Sequence, residues 1–196
     1  MRALRVPVWT LALLFVALCV SQAKTNYAYV ANFNTNTVSV INTGSNTVVK
    51  TVSVGTNPFG VAVDQVGQNV YVTNYRSASV SVISTSTNTV VATIPVGSNP
   101  AGVVFAPNGK TAYVANLNSG SVSVINTGTK KVIATITVQS EPQGMAILPN
   151  GTFLYVGNYN SNTVSVISTL TNAVVATVNV GLGPTSLASS PDGSTV

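Results

Sequence analysis

Tyr71-Val72-Thr73-Asn74 opens the stretch on which the fold turns, because it recurs as Tyr29-Val30-Ala31-Asn32, Tyr113-Val114-Ala115-Asn116 and Tyr155-Val156-Gly157-Asn158, each copy 42 residues from the last. The same interval relates Val38-Ser39-Val40-Ile41 to the segments that begin at Val80, Val122 and Val164. It also relates Pro58, Pro100, Pro142 and Pro184, and Gly67, Gly109, Gly151 and Gly193. No insertion breaks the register. A period of about 20 to 50 residues marks a repeat architecture, so it governs the reading ahead of local propensity.

Each period reads as four short strands. In the second unit, residues 102–105, 111–115, 121–125 and 132–138 are β-branched runs separated by turn residues, and helical periodicity is absent. The first two runs are joined by Ala106-Pro107-Asn108-Gly109, repeated as Leu148-Pro149-Asn150-Gly151 and Ser190-Pro191-Asp192-Gly193. Proline presets φ at the first central position, Asn or Asp suits the second, and Gly accepts positive φ afterwards, so these are tight hairpin turns. The first copy, Asp64-Gln65-Val66-Gly67, loses the proline and keeps the glycine. Four antiparallel strands in 42 residues, repeated in tandem, is the size of a propeller blade. Val61-Ala62-Val63 and Val103-Val104-Phe105 are apolar on both faces, as inner strands covered by neighbouring blades must be. The alternating Ser-Val-Ser-Val strand puts small hydroxyls where an adjacent blade can approach. The expected fold is all-β, a β-propeller of four 42-residue, four-stranded blades in units starting near residues 29, 71, 113 and 155.

These residues resemble a known family. Tyr71 to Asn74, Ser79-Val80-Ser81-Val82-Ile83, Val90-Val91-Ala92-Thr93-Ile94-Pro95-Val96-Gly97 and Asn99-Pro100-Ala101-Gly102-Val103 are similar to the YVTN-type β-propeller repeat of surface-layer-like and other secreted or periplasmic proteins. The resemblance covers residues 24–196. It implies that the strand after the repeated proline is innermost and that the Tyr-Val-Thr-Asn strand is second. The chain would then begin at the second strand of a blade, and the expectation is a partial propeller. The alternative is a closed four-bladed ring, in which the segment from Pro184 supplies the innermost strand of the first blade.

The first residues read differently. Arg2 and Arg5 form a basic region, residues 6–20 are apolar, and Ser21-Gln22-Ala23 offers the small residues of a cleavage site, so residues 1–23 are expected to be a secretory signal. The apolar run is shorter than the roughly 20 residues that span a bilayer. Cys19, the single cysteine, lies inside it, so no disulfide is expected in the remainder. The expected location is secreted, periplasmic or at the cell surface.

Composition limits the chemistry. Charged residues make up only 6% of the chain, with 8 Lys+Arg, 3 Asp+Glu and no His. Without Arg2 and Arg5, six scattered cations remain, too few for a nucleic-acid footprint. With Asp64, Glu141 and Asp192 as the only carboxylates, most general acid-base, nucleophilic and metal-site constellations lack their parts. No catalytic residue, metal ligand or cofactor is therefore expected.

One rim offers a candidate binding surface. The loop after each Tyr-Val-Thr-Asn strand carries Phe33, Tyr75, Leu117 and Tyr159 at one equivalent position, flanked by Asn32, Asn74, Asn116 and Asn158, with Arg76 as a lone cation. Aromatics beside amides can hold a sugar or a peptide segment, whereas a structural reading has the amide capping the turn and the aromatic covering a blade edge. The Asn57-Pro58 and Asn99-Pro100 loops read as structural turns, and Gly60, Gly102 and Gly144 as points of close packing near the axis. Asn150-Gly151-Thr152 meets the glycosylation sequon. The functional expectation is a non-catalytic secreted or surface scaffold that contacts a protein or glycan and self-associates through uncovered blade faces. The alternative is a lactonase-like or quinoprotein-like propeller whose active residues lie in other blades.

Overall fold

The computed structural model describes residues 26–196. The expected signal segment, residues 1–23 with Arg2, Arg5 and Cys19, lies outside the described residues. The chain folds into four antiparallel sheets, each a meander of consecutive strands. The first has three strands, β1 (Tyr27–Asn32), β2 (Thr37–Asn42) and β3 (Thr47–Ser53). The second runs β4 (Pro58–Val63), β5 (Asn69–Asn74), β6 (Ser79–Ser84) and β7 (Thr89–Pro95). The third runs β8 (Pro100–Phe105), β9 (Thr111–Asn116), β10 (Ser121–Asn126) and β11 (Lys131–Thr137). The fourth runs β12 (Pro142–Ile147), β13 (Phe153–Asn158), β14 (Thr163–Ser168) and β15 (Ala173–Asn179). In the second unit the innermost strand begins at Pro100, two residues before its β-branched run, because the repeated proline already stands opposite Asn116; the second and third strands begin where the runs do, and the fourth one residue earlier, at Lys131.

The local chemistry of each turn is visible in its hydrogen bonds. Gly67, Gly109, Gly151 and Gly193 all have φ near +70° and donate their amides to the carbonyls of Asp64, Ala106, Leu148 and Ser190, at 2.8 to 3.0 Å. Where the first copy lacks proline, the Asp64 carboxylate accepts from the amides of Gln68 and Asn69 and from Asn69 Nδ2, so a side chain replaces the ring as the device that fixes the turn. Each outer hairpin carries a register shift at one repeated place, Val40/Ile41, Val82/Ile83, Val124/Ile125 and Val166/Ile167, which adds twist to the outer strand.

The sheets pack face to face in order around one side. β8 lies against both β4 and β12, while the outer strands β3, β7, β11 and β15 meet only marginally, so the sheets radiate from their inner strands as blades do. Glycine makes the inner contact feasible: a Cβ on Gly102 would sit 2.5 Å from the carbonyl oxygen of Gln143, and Gly60 and Gly144 face the carbonyls of Ala101 and Thr185 in the same way. Between blades, one pattern of apolar residues repeats. Val38, Val40 and Val52 of the first blade pack on Val70, Val72 and Ile83 of the second. Val80, Val82 and Ile94 meet Ala112, Val114 and Ile125, and Val122, Val124 and Ile136 meet Leu154, Val156 and Ile167. Each such side chain contributes about 1.5–3 kcal/mol on burial, so these three seams are the core, and no blade has a core of its own.

The arrangement is that of a partial propeller. In the alternative ring, the segment from Pro184 would lie on β1. It does not pair with β1, whose sheet has three strands, and rests on the fourth blade alone: Thr185 faces Gly144, Pro184 and Leu187 face Gly157, and Ser189 Oγ donates to the Ile147 carbonyl at 3.0 Å. The repeat places it where a following blade begins, and the inter-blade glycine contact holds it there.

Candidate functional site

On the rim where β1 and β5 end and β4 begins, three aromatic rings meet. Phe33, Phe59 and Tyr75 have centroids 6.1 to 6.4 Å apart at interplanar angles of 38° to 76°. Phe33 and Phe59 are exposed and Tyr75 is half-buried, so the cluster is a raised apolar patch and its rings touch one another. The patch is built by Asn57. Held at φ 53°, Asn57 takes Asn36 Oδ1 on its amide at 2.9 Å, donates from Nδ2 to the Phe33 carbonyl at 3.0 Å, and accepts the Tyr75 amide on its own carbonyl at 2.9 Å. One residue of the turn before β4 thus sets the height of both flanking loops, and Phe59, two residues on, fills the gap between their rings. Arg76 is exposed beside Tyr75, its amide bonded to the Thr56 carbonyl at 3.1 Å.

The other rim residues expected from the sequence are placed apart from this cluster. Leu117 is half-buried on the third blade. Tyr159 is exposed on the fourth, beside Asn160, Asn162, Leu182 and Gly183 around a shallow cleft of about 300 Å³. The amides do not line the surface. Asn74, Asn116 and Asn158 are fully buried, and each Nδ2 donates to two hydroxyls of the next strand: Ser79 and Ser81, Ser121 and Ser123, Thr163 and Ser165, at 2.9 to 3.1 Å. Asn32 makes the same pair of bonds with Thr37 and Ser39 and is half-buried. This asparagine is the clasp between the second and third strands of every blade, and Asn74 Oδ1 extends it across the seam to the amide of Gly55 at 3.1 Å.

Phe59 escapes the sequence reading because it does not belong to the loop motif. The signal was present in the repeat itself, since the equivalent positions hold Ala101, Gln143 and Thr185. An aromatic that breaks an otherwise regular repeat and stands 57% exposed serves no packing need that the other blades share.

At the opposite rim, a cleft of about 540 Å³ between the first two blades is lined by Asn26, Tyr27, Tyr29, Val63, Gly67, Thr85 and Ser86, with no charged side chain among them. The three carboxylates are dispersed. Asp64 and Asp192 are spent on turns, and Glu141 stands before β12 with φ 56°. Hydrogen bonds from the Ser190 hydroxyl, then from the Ser194 amide and hydroxyl, hold the Asp192 carboxyl down at about 2. Among the described residues, no three His, Cys, Asp or Glu side chains come together.

Comparison with known proteins agrees with the geometry. The family model described as "Lactonase, 7-bladed beta-propeller" matches residues 85–181, and solved structures match over most of the chain. The chain is a β-propeller protein. A chain of the Kuenenia stuttgartiensis hydrazine synthase is 19% identical, with 85% of this propeller and 87% of that chain covered at a TM-score of 0.56. A functionally unknown protein from Desulfotomaculum acetoxidans is 18% identical at a TM-score of 0.74; 87% of this propeller is covered but only 60% of that chain. At these identities the likeness is one of fold. No curated protein matches the propeller. The family match lies outside the aromatic cluster, which belongs to residues 33–76.

Proposed function

We propose that the protein is a non-catalytic secreted or cell-surface propeller that works as a binding scaffold, with the cluster of Phe33, Phe59 and Tyr75 as its contact surface for a protein or glycan ligand. The observation that carries this reading is the cluster itself, an exposed aromatic patch restricted to one rim position and braced by Asn57. Exposed aromatics beside an arginine are the side chains that dominate contact energy at binding surfaces, and a fixed loop frame limits the entropy lost on contact. The test is binding of the protein to a glycan array and to cell-envelope extract, compared with Phe59→Ala. Loss of a captured ligand by about tenfold or more, with an unchanged melting profile, supports the reading. A ligand held equally by both proteins refutes the assignment to this cluster.

A second reading is enzymatic, and the family-model match over residues 85–181 favours it. It needs catalytic groups beyond the blades described here, because Asp64 and Asp192 are bound into turns and Glu141 lies apart from both. Lactone hydrolysis by the purified protein, unchanged in Glu141→Gln and Asp64→Asn, would establish it in place of the scaffold.

A further inference from the structure

The rim opposite the aromatic cluster is a single connected surface made of two kinds of turn. Inner turns join the first strand of a blade to the second, and outer turns, residues 43–46, 85–88, 127–130 and 169–172, precede the outer strands. Within a blade the two are tied together: Thr85 Oγ1 donates to the Gly67 carbonyl and Thr127 Oγ1 to that of Gly109, both at 2.7 Å, and Thr169 does the same to Gly151. Between blades the inner turns touch, since a Cβ on Gly109 would meet Gln65 at 3.4 Å and one on Gly151 would meet Pro107 at 3.4 Å.

On this frame the repeat is broken by lysines and by apolar side chains. Lys130 stands where the other blades carry Asn46, Asn88 and Asn172, Lys131 where they carry Thr47, Thr89 and Ala173, and Lys50 where they carry Ala92, Ala134 and Ala176. Val66 replaces Asn108, Asn150 and Asp192, and Leu170 replaces Gly44, Ser86 and Gly128. With Lys110, the four lysines among the described residues all belong to this rim, Lys50 by reaching from β3 to the Thr87 carbonyl at 3.0 Å. Lys130 is the most telling of them. It holds a left-handed backbone position, φ 54°, that its asparagine equivalents suit better, so the fold alone favours asparagine there. Val66 is 67% exposed and Leu170 91%. Both columns stay open in interior blades, where Asn108, Ser86 and Gly128 are exposed with a blade on either side, so the exposure does not depend on what adjoins the first or the fourth blade. The acids of this rim, Asp64 and Asp192, accept from amides of their own turns, and the lysines outnumber them.

We propose that this rim docks on an anionic lipid surface, with Lys50, Lys110, Lys130 and Lys131 meeting headgroup phosphates and Val66 and Leu170 entering the boundary of the acyl chains. Lysines near a negatively charged bilayer and apolar side chains set beside them act in the same direction, the first by electrostatic attraction and the second by burial. A nucleic acid would complement the charge, but it rewards aromatics that stack on bases, whereas the side chains that break the repeat beside these lysines in Val66 and Leu170 are aliphatic. This inference does not rest on the aromatic cluster, which lies at the other rim.

The test is sedimentation with vesicles of phosphatidylglycerol and phosphatidylcholine in equal parts, against vesicles of phosphatidylcholine alone. The protein is prepared with the expected signal, residues 1–23, removed, because that apolar run would bind lipid by itself. The substitutions restore what the repeat carries elsewhere, Lys130→Asn with Lys131→Thr, and Leu170→Ser, so folding is kept and is checked by circular dichroism. The unaltered protein is expected to sediment with the mixed vesicles only, and to be released as salt is raised. The lysine variant is expected to lose roughly fivefold in vesicle affinity per lysine, Leu170→Ser to weaken binding to the same vesicles, and Phe59→Ala to bind them as the unaltered protein does. Failure of the unaltered protein to sediment with the mixed vesicles would overturn the proposal, as would equal binding to both kinds of vesicle or unchanged binding by the lysine variant. Binding that falls with the lysine substitutions but not with Leu170→Ser would overturn the lipid assignment in favour of a polyanion without an apolar part.

Discussion

The approach of neighbouring inner strands through glycine makes a quantitative demand on one atom. A Cβ at Gly102 would lie 2.5 Å from the carbonyl oxygen of Gln143, where ordinary contact begins near 3.4 Å. The oxygen belongs to the backbone of β12, so relief requires the third and fourth blades to part by most of an ångström along their inner edge. That parting loosens the seam of Val122, Val124 and Ile136 on Leu154, Val156 and Ile167. Overpacking of this kind costs ~1–3 kcal/mol, set against a few tenths gained from the better strand propensity of alanine. Two other glycines separate the causes. Gly181 has nothing within 4 Å of its would-be Cβ and an ordinary φ, so Gly181→Ala should leave stability unchanged or raise it by about 0.4–1 kcal/mol. Gly67 is equally open but sits at φ +69°, so Gly67→Ala should cost about 1 kcal/mol from backbone strain alone. Urea midpoints measured at constant slope should rank Gly181→Ala highest, Gly67→Ala in the middle and Gly102→Ala lowest. If Gly102→Ala matched Gly181→Ala, the inner strands would not be in backbone contact and the account of blade packing would be wrong.

Two further outcomes follow from the same geometry. Among the described residues the Tyr71 hydroxyl is buried without a hydrogen-bond partner, and burial, followed by the charge of Asp64, pushes its pKa up to about 12. The unfolded chain therefore ionises first, and this group's contribution to stability is full below pH 10 and drains away between 10 and 12. Tyr71→Phe should be at least as stable as the unaltered chain at pH 8, by up to about 1 kcal/mol, with an advantage that widens above pH 10 in thermal melts; a constant gap would refute the reasoning. Glu141 and Ala78 hold left-handed backbone positions, φ 56° and 47°, where the equivalent residues include Asn57, Asn99 and Gly120. Glu141→Asn and Ala78→Gly should each gain about 0.5–1 kcal/mol, read as a raised denaturant midpoint.

How much was legible in the sequence depends on whether the repeat carried the information. The strand pattern, turn chemistry and inner-strand glycines were, because backbone geometry sets them at successive 42-residue steps, the turn glycine at all four and the inner-strand glycine at three, with Ser186 at the fourth, and a feature that recurs in this way stands clear of noise. The Asp64 turn was half-legible: the missing proline was visible, but not the carboxylate that takes over its work. The asparagine after each Tyr-Val motif was ambiguous, since an amide at a strand end suits a ligand as well as a clasp, and only burial against Ser79 and Ser81, or Ser121 and Ser123, assigns it to the clasp. The aromatic cluster was largely hidden. Phe33 and Tyr75 stand in the repeat column that drew attention to them, but Phe59 lies in a different column, and only the Asn57 turn brings the two columns together across a seam. In a repeat protein the residues that build the fold are those that recur, so residues that serve anything else must appear as departures from the pattern. Phe59 against Ala101, Gln143 and Thr185 is such a departure, and its exposure is the physical counterpart of its irregularity.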